Sequence, residues 1–385
     1  MQITGAVLET TGADAPFART RPFTVGPLEL DPPEAGEILV RIEAAGICHS
    51  DLSVVDGNRR RPVPMLLGHE AAGIVEQLGA DVDDLAVGDR VVMTFLPRCG
   101  HCAGCATDGR LPCEVGTAAN NAGTLVGGGI RLHRQRPGDV DNDVSDSDAD
   151  AEAVFHHLGV SGFASHAVVS RTSVVPVPAD VPADIAALLG CAVLTGGGAV
   201  LNAGRPAAGE RVIVVGLGGV GMAALLVAVA LGHEVVGVDA VASKLDLARR
   251  LGTARALTPA DALAQATDAD GRASVVIEAA GNARAFETAF ALTAPGGTTV
   301  TVGLPAPDAR ASVSPLTLTA EARTVIGSYL GSAVPSRDIP RYIELWRAGR
   351  LPLEKLVSSH VALTDIDVAM DRLAAGGELR QLITF

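Results

Sequence analysis

The sequence is poor in aromatic residues and contains fewer basic than acidic side chains. Only 8 Phe, 2 Tyr and 1 Trp occur among 385 residues, too few and too scattered to build a base-stacking platform. The 30 Lys and Arg against 44 Asp and Glu leave a net charge of -14, which repels phosphate backbones and anionic lipids. We therefore expect neither nucleic acid nor a membrane surface as a partner.

The sequence also lacks an export signal, because residues 1–7 contain no basic segment followed by an apolar one. We expect a cytoplasmic protein. Two stretches without charged residues reach membrane-span length, 212–232 and 185–204. Glycines divide the first into a strand and a helix. The second contains Thr195, three consecutive glycines at 196–198 and Asn202, which predict a turn rather than a span.

Enough apolar sequence remains for two globular domains, since 48% of residues are hydrophobic and 19% are charged. The first 90 residues form short β-like runs separated by Pro and Gly, typical of a mostly antiparallel domain. Apolar strands then alternate with Ala-rich helices, which indicates a parallel sheet. Its elements are predicted at Val212–Val215, Met222–Leu231, Val235–Val238, Val275–Ile277 and Thr298–Val302. We assign residues 1–192 and 333–385 to the first domain and 193–332 to the second.

Residues 139–152 contain seven acidic residues and no basic one. A solvated surface loop is the first interpretation of this run. A calcium loop is the alternative, because Asp141, Asp143, Ser145 and Glu152 occupy positions 1, 3, 5 and 12 of an EF-hand pattern. Position 6 holds Asp146 where the sharp turn needs Gly, so we favour the surface loop.

Four of the six cysteines, Cys99, Cys102, Cys105 and Cys113, follow a C-x2-C-x2-C-x7-C pattern in a Gly-rich segment. This spacing allows one short lobe to hold four thiolates around a zinc ion. Disulfides and an iron–sulfur cluster are the alternatives, and a reducing compartment and the flanking residues disfavour them. Four protein ligands leave no position for a substrate, so we predict a structural zinc.

The other two cysteines, Cys48 and Cys191, could each be a small buried side chain. Cys48 lies in the motif GICHSD, however, and His69 in the motif GHE follows 21 residues later. Cys48, His69 and Cys191 would form a three-ligand zinc site with one open position, as catalysis requires.

A glycine-rich motif, Gly216-Leu217-Gly218-Gly219-Val220-Gly221, follows a predicted strand and opens a predicted helix. Asp239 ends the next strand, where a carboxylate accepts hydrogen bonds from the adenosine ribose. The glycines, chiefly Gly216, Gly218, Gly219 and Gly221, allow a pyrophosphate to approach the helix N-terminus. A 2′-phosphate would be repelled by Asp239, so the pattern favours NAD over NADP.

In these motifs the chain resembles the zinc-dependent medium-chain alcohol dehydrogenases, and most of all the subgroup with a catalytic and a structural zinc. The resemblance extends from GICHSD through GHEAAG, the four-cysteine lobe, His157-Leu158-Gly159, Leu189-Gly190-Cys191 and the dinucleotide motif to the C-terminal LRQLITF. It implies an α/β fold with a GroES-like, mostly antiparallel catalytic domain and a Rossmann cofactor domain. It also implies two zinc ions per chain, NAD, and a homodimer that pairs strand 324–330 with its copy.

The resemblance further implies roles for individual residues. Cys48, His69 and Cys191 would hold the catalytic zinc, with Glu70 beside it and Asp51 bonded to His69, while Ser50 takes the substrate proton. The remaining roles are the substrate pocket for Phe95, Leu158 and Arg59, the nicotinamide for Thr195 and Val220, the ribose for Lys244, and the pyrophosphate for His49 and Arg380. The alternatives are a plain core position for Phe95 and a surface ion pair for Arg380.

Two departures from the family pattern stand out. The proton relay of the family commonly ends on a His five residues after the first ligand Cys, and this chain has Ser53 there, so water or His49 would complete the path. The segment from Cys113 to Gly159 is also longer than in typical relatives.

The function expected is reversible hydride transfer between an alcohol and NAD. A thiol-adduct formaldehyde dehydrogenase is the enzymatic alternative. Thr117 and its neighbours lack the Arg of glutathione-dependent relatives, although Arg59-Arg60-Arg61 near the pocket mouth could bind an anionic substrate. A zinc-stapled structural or regulatory protein is the non-enzymatic alternative, and the intact Cys48, His69, Cys191 and Ser50 disfavour it.

Overall fold

The computed structural model describes residues 1–135, 151–267 and 269–385. Most of the acidic run, including Asp141, Asp143 and Ser145 of the calcium pattern, lies outside these residues. Glu152 lies within them, and its Oε2 accepts a hydrogen bond of 2.8 Å from Arg134 Nε. The surface-loop and calcium interpretations therefore stay predictions.

Eighteen strands occur in the described residues, and they form three sheets. The strands are β1 Gln2–Leu8, β2 Phe23–Leu30, β3 Glu37–Ile47, β4 Met65–Leu66, β5 Glu70–Leu78, β6 Arg90–Met93, β7 Leu132–Gln135, β8 Ala151–His156, β9 His166–Ser170, β10 Val174–Val177, β11 Arg211–Val215, β12 Glu234–Val238, β13 Arg255–Leu257, β14 Ala273–Glu278, β15 Thr293–Thr301, β16 Thr324–Gly327, β17 Val357–Val361 and β18 Arg380–Thr384.

The first two sheets make up the mostly antiparallel part of the molecule. One is a closed barrel in the order β1-β2-β7-β8-β4. The other runs β10-β6-β5-β3-β18-β17, with β9 also paired to β3. The C-terminal strand β18 lies antiparallel to β3, with Gln381 opposite Ile47, so the chain returns to the N-terminal part. This pairing brings the C-terminus next to Cys48, which follows β3 directly.

The third sheet is parallel throughout and has the order β13-β12-β11-β14-β15-β16. Its central strands β11, β12 and β14 are rich in Val and almost wholly buried, as expected for a sheet covered on both faces. The expected division into a mostly antiparallel part and a parallel cofactor sheet is therefore present.

Helices cover these sheets and connect their strands. They are α1 Phe17–Thr20, α2 His49–Val55, α3 Glu114–Ala122, α4 Ala183–Leu188, α5 Leu194–Gly198, α6 Gly219–Ala230, α7 Ala242–Arg250, α8 Pro259–Gln265, α9 Ala283–Leu292, α10 Pro315–Ala320, α11 Pro335–Arg347 and α12 Ile366–Ala374. The π-helical segment Leu189–Val193 joins α4 to α5, and a second one, Ala199–Gly204, continues α5. Together they form one continuous helix, Ala183–Gly204, which we call the connecting helix.

The connecting helix corrects the sequence interpretation, which placed a turn at the three glycines 196–198. These glycines are helical, and their lack of a side chain allows neighbouring segments to pack closely against the helix. A Cβ on Gly197 would lie 2.6 Å from the hydroxyl of Tyr342, and one on Gly198 would overlap the carbonyl of Gly331. The connecting helix is long and apolar enough to cross a membrane, but 89% of its most apolar window is buried inside the protein, as in a core helix.

We expect Gly198→Ala to lower the free energy of unfolding by about 1–3 kcal/mol, because the added methyl group must displace the backbone at Gly331. Urea denaturation measures the change. Gly377→Ala is the matched control, since its added Cβ would meet nothing within 4 Å. Equal stability of the two variants would show that the packing at Gly198 is not tight.

Candidate active site

The buried carboxylate of Asp51 positions two of the metal-binding candidates, Cys48 and His69. Cys48 directly follows β3, and Asp51 lies in the first turn of α2. Asp51 accepts a hydrogen bond of 3.0 Å from the Cys48 backbone N–H. The other Asp51 oxygen lies 2.9 Å from Nδ1 of His69 and accepts a 3.3 Å bond from Gly68 N–H. Burial alone would raise the pKa of Asp51, but the His69 ring and the hydrogen bonds lower it to about 2. Asp51 is therefore an anion that fixes the His69 ring with Nε2 directed away from it.

Cys191 comes from the first π-helical segment of the connecting helix and completes the cluster. Its Sγ lies 3.5 Å from His69 Nε2. Zinc bonds of about 2.3 Å to sulfur and about 2.0 Å to nitrogen in a tetrahedron would separate these atoms by about 3.6 Å, so the donors fit the ion. A hydrogen bond with Cys191 lowers the pKa of Cys48, which favours the thiolate that a metal needs.

Glu70 lies beside the cluster, with its carboxylate oxygen within 4.8 Å of the other donor atoms. Both of its oxygens pair with Arg380, at 3.0 Å from Nε and 3.0 Å from Nη2. Burial raises the pKa of Glu70 to about 7 against the opposing effect of Arg380. Arg380 Nη2 also lies 3.5 Å from Cys48 Sγ, so one guanidinium serves both groups.

The sequence analysis considered Arg380 either a pyrophosphate partner or half of a surface ion pair. The surface alternative is wrong, because Arg380 is 1% exposed and its partner Glu70 is fully buried. Arg380 nevertheless borders the dinucleotide cleft, since a Cβ on Gly219 would overlap its Nη1. The pyrophosphate role remains compatible with this position and stays a prediction.

The four cysteines of the lobe converge as their spacing predicts. The sulfurs of Cys99 and Cys105 lie 4.0 Å apart and those of Cys102 and Cys113 3.9 Å apart, and none forms a disulfide. Four thiolates around zinc at about 2.3 Å would lie about 3.8 Å from one another, so the lobe fits the ion. Backbone N–H groups point at the sulfurs, such as Cys105 N–H at 3.4 Å from Cys102, and this bond lowers the pKa of Cys102 to about 6.

The dinucleotide motif lines a cleft of about 390 Å³ between the two parts of the chain. Gly216 has φ +91°, and Gly218, which precedes α6, has open space where its side chain would be. Asp239 follows β12, and its two oxygens accept hydrogen bonds from Leu217 and Val241 N–H at 2.6 and 2.8 Å. The lining also includes the predicted contacts His49, Val220, Lys244 and Arg380.

A second cavity, of about 30 Å³, lies above His69 and is lined by the predicted residues Ser50, Arg59, Phe95 and Leu158. Ser50 and Arg59 line the dinucleotide cleft as well, so the two spaces meet at these side chains. The Phe95 ring stands edge-on to the His69 ring, with centroids 5.6 Å apart. We call this space the substrate cavity.

Other predicted residues are placed differently. Thr195 is 7% exposed in α5 and is absent from the described lining of the cleft. Ser53 lies one turn after His49, and its hydroxyl donates a 2.8 Å hydrogen bond to the His49 carbonyl. The predicted edge strand 324–330 ends at Gly327, after which Tyr329 starts a 3₁₀ turn.

The sequence analysis assigned no role to His157 or Tyr329 in the substrate cavity. His157 Nδ1 lies 3.2 Å from Asp51 without the alignment of a hydrogen bond, and burial lowers the pKa of His157. Tyr329 packs edge-on to Phe95 at 5.6 Å. The motif His157-Leu158-Gly159 could have indicated His157 from the sequence, whereas no local motif distinguishes Tyr329.

A buried Cys–His–Cys cluster next to a glycine-rich dinucleotide cleft defines a zinc- and dinucleotide-dependent oxidoreductase. Comparison with known families agrees. Residues 34–179 match the alcohol dehydrogenase GroES-like domain, and residues 219–348 match the zinc-binding dehydrogenase domain.

Full-length relatives point the same way. The chain is 34% identical to the NDMA-dependent alcohol dehydrogenase of Amycolatopsis methanolica, over 100% of this chain and 99% of the relative. Among solved structures, an alcohol dehydrogenase zinc-binding domain protein from Burkholderia ambifaria is 31% identical with TM-score 0.89, and benzyl alcohol dehydrogenase from Acinetobacter calcoaceticus is 29% identical with TM-score 0.87. Each alignment covers 100% of this chain and 99% of the other.

The chain belongs to the zinc-dependent alcohol dehydrogenase family. It is an oxidoreductase that uses zinc and NAD to interconvert alcohols and aldehydes or ketones. The comparisons give no support to the formaldehyde dehydrogenase alternative or to the non-enzymatic one.

We expect Cys191→Ala to remain folded with about one zinc per chain and no dehydrogenase activity, because the lobe keeps its four thiolates. Metal analysis and an alcohol oxidation assay measure the outcome. The matched variant Cys113→Ala should also lose one zinc but should chiefly lower the thermal stability. Two zinc ions per chain in Cys191→Ala would contradict the assignment of Cys191.

Proposed function

We propose that Cys48, His69 and Cys191 hold a catalytic zinc and that Ser50 accepts the proton of the substrate hydroxyl. The observation that carries this proposal is the position of Ser50, which lines both the substrate cavity and the dinucleotide cleft. When bound, zinc supplies a Lewis acid for the substrate oxygen and NAD supplies the hydride acceptor. The four-cysteine lobe holds the structural zinc.

The chain's own residues orient the reactants. Asp51 holds the His69 ring in place. The ion pair between Glu70 and Arg380 balances the charges next to the buried Cys48. Phe95 and Leu158, both 7% exposed, wall the substrate cavity against water. The proton accepted by Ser50 passes toward the cleft, which His49, the first residue of α2, also lines.

The lining of the cofactor cleft supports NAD over NADP. Asp239 places a carboxylate at the lining of the cleft, where the adenosine ribose of a dinucleotide binds in a Rossmann fold. Lys244 serves the ribose, Val220 the nicotinamide, and His49 with Arg380 the pyrophosphate, and all four line the cleft. The nicotinamide role of Thr195 rests on the family resemblance alone, because Thr195 is absent from the described lining. The glycines of the motif provide the close approach.

The active form is a cytoplasmic homodimer with a catalytic domain of residues 1–192 and 333–385 and a cofactor domain of residues 193–332. Strand β16 supports the dimer, because it lies at the edge of the parallel sheet and pairs with β15 alone among the described strands. Thr324 and Val325 are exposed on it. Pairing with its copy would cover this edge.

We expect Asp239→Ser to raise the ratio of kcat/KM with NADP to kcat/KM with NAD at least about tenfold, about 1.4 kcal/mol. The substitution removes the carboxylate that accepts hydrogen bonds from the NAD ribose and that repels the 2′-phosphate of NADP. Steady-state oxidation of an alcohol with each cofactor measures the ratio. Asp239→Asn separates the two effects, since it keeps an acceptor for Leu217 N–H but carries no charge. A wild-type preference for NADP would refute the role of Asp239.

We expect Ser53→His to accelerate hydride transfer more at neutral than at alkaline pH. An imidazole with pKa about 6.5 is an unprotonated base at neutral pH, whereas hydroxide already accepts the proton at alkaline pH. Single-turnover kinetics measure the step without interference from cofactor release. Ser53→Gln is a control of similar length that cannot titrate. An unchanged pH profile in Ser53→His would mean that another group, with His49 foremost, already completes the relay.

A further inference from the structure

The substrate cavity contains two arginine side chains, Arg59 and Arg61. The rest of its lining is neutral or apolar in character, including Phe95, Leu158 and Tyr329, apart from the two histidines at its base. A pocket for an uncharged alcohol has no use for two guanidinium groups, because each costs free energy to remove from water.

Arg61 is held in place by one end of its guanidinium. Nη1 donates hydrogen bonds of 3.0 Å to the Asn120 carbonyl and 3.0 Å to Asn121 Oδ1. Nε is buried and has no hydrogen-bond partner among the described residues. The described residues therefore fix the guanidinium through Nη1 alone and leave its positive charge without a counter-ion.

Carboxylates are also missing around these arginines. No Asp or Glu of the described residues lies within 4.0 Å of Arg59 or Arg61. Several other arginines do pair with carboxylates, as Arg131 with Glu37, Arg134 with Glu9 and Arg380 with Glu70. Like Arg61, the half-buried Arg98 and Arg255 bond to carbonyl or amide oxygens instead, but neither lines the substrate cavity.

Arg59 and Arg61 differ in what they line. Arg59 borders the dinucleotide cleft too, so its charge could serve the cofactor. Arg61 lines the substrate cavity and is not part of the described lining of the cleft. The charge of Arg61 is therefore available to the substrate.

We propose that the substrate is an alcohol, or the corresponding aldehyde, that carries a carboxylate bound by Arg61 with support from Arg59. This inference rests on the proposed function of the site. The carbinol gives its hydride to NAD and its proton to solvent, and the carboxylate is unchanged. A guanidinium fork matches a planar carboxylate with two parallel hydrogen bonds, and only Nη1 of Arg61 is engaged by the described residues.

The test compares matched substrates that differ only in charge. The pairs are 4-(hydroxymethyl)benzoate with 4-(hydroxymethyl)benzamide, and 6-hydroxyhexanoate with 6-hydroxyhexanamide. For at least one pair the wild-type enzyme should favour the carboxylate in kcat/KM by about tenfold or more. Arg61→Met should reduce that ratio to within about threefold, while Arg60→Met, which alters an exposed neighbour, should leave it as in wild type.

A measurement on the wild-type enzyme alone guards against misfolding of Arg61→Met. Raising the ionic strength should lower kcat/KM for the carboxylate and leave that for the amide nearly constant. Equal turnover of acid and amide in both pairs would overturn this inference and leave the proposed function standing. If the enzyme oxidised neither the four compounds nor simple alcohols, the proposed function itself would be overturned.

Discussion

The arrangement of the active site depends on the close packing of the connecting helix against α6 and its neighbours. This helix carries Cys191 into the metal cluster, and within the next two turns its glycines 196–198 pack against α6, Tyr342 and Gly331. A backbone contact without intervening side chains leaves little freedom for the helix to shift. The metal ligands and the dinucleotide cleft are thus positioned by one rigid element.

Buried charge is the second feature that organises the site. Asp51 binds His69 and the Cys48 backbone, and Glu70 binds Arg380, which reaches Cys48 in turn. Each of these two buried carboxylates has a hydrogen-bonding partner at both oxygens, as the low dielectric of the interior requires. The guanidinium of Arg61 differs from that of Arg380, since the described residues offer it backbone and amide oxygens but no carboxylate.

The zinc lobe and the dinucleotide motif could be predicted from the sequence because their residues are close together in the chain. Four cysteines within fifteen positions can surround one metal ion without help from distant segments. The glycine motif between a strand and a helix likewise indicates the tight local turn that binds a dinucleotide. The Cys48, His69 and Cys191 set spans 143 residues, and only its resemblance to a family motif indicated that the three would meet.

The tertiary structure decided the features that depend on distant contacts. Arg380 and Glu70 are 310 residues apart, so no local pattern shows that they pair beneath Cys48. The glycines at 196–198 resemble a turn in the sequence, yet packing against Gly331 and Tyr342 stabilises them as a helix. Tyr329 joins the substrate cavity because the chain leaves β16 after Gly327. The sequence by itself determined the local chemistry of the ligands, while the shape and charge of the substrate cavity follow from which distant segments pack together.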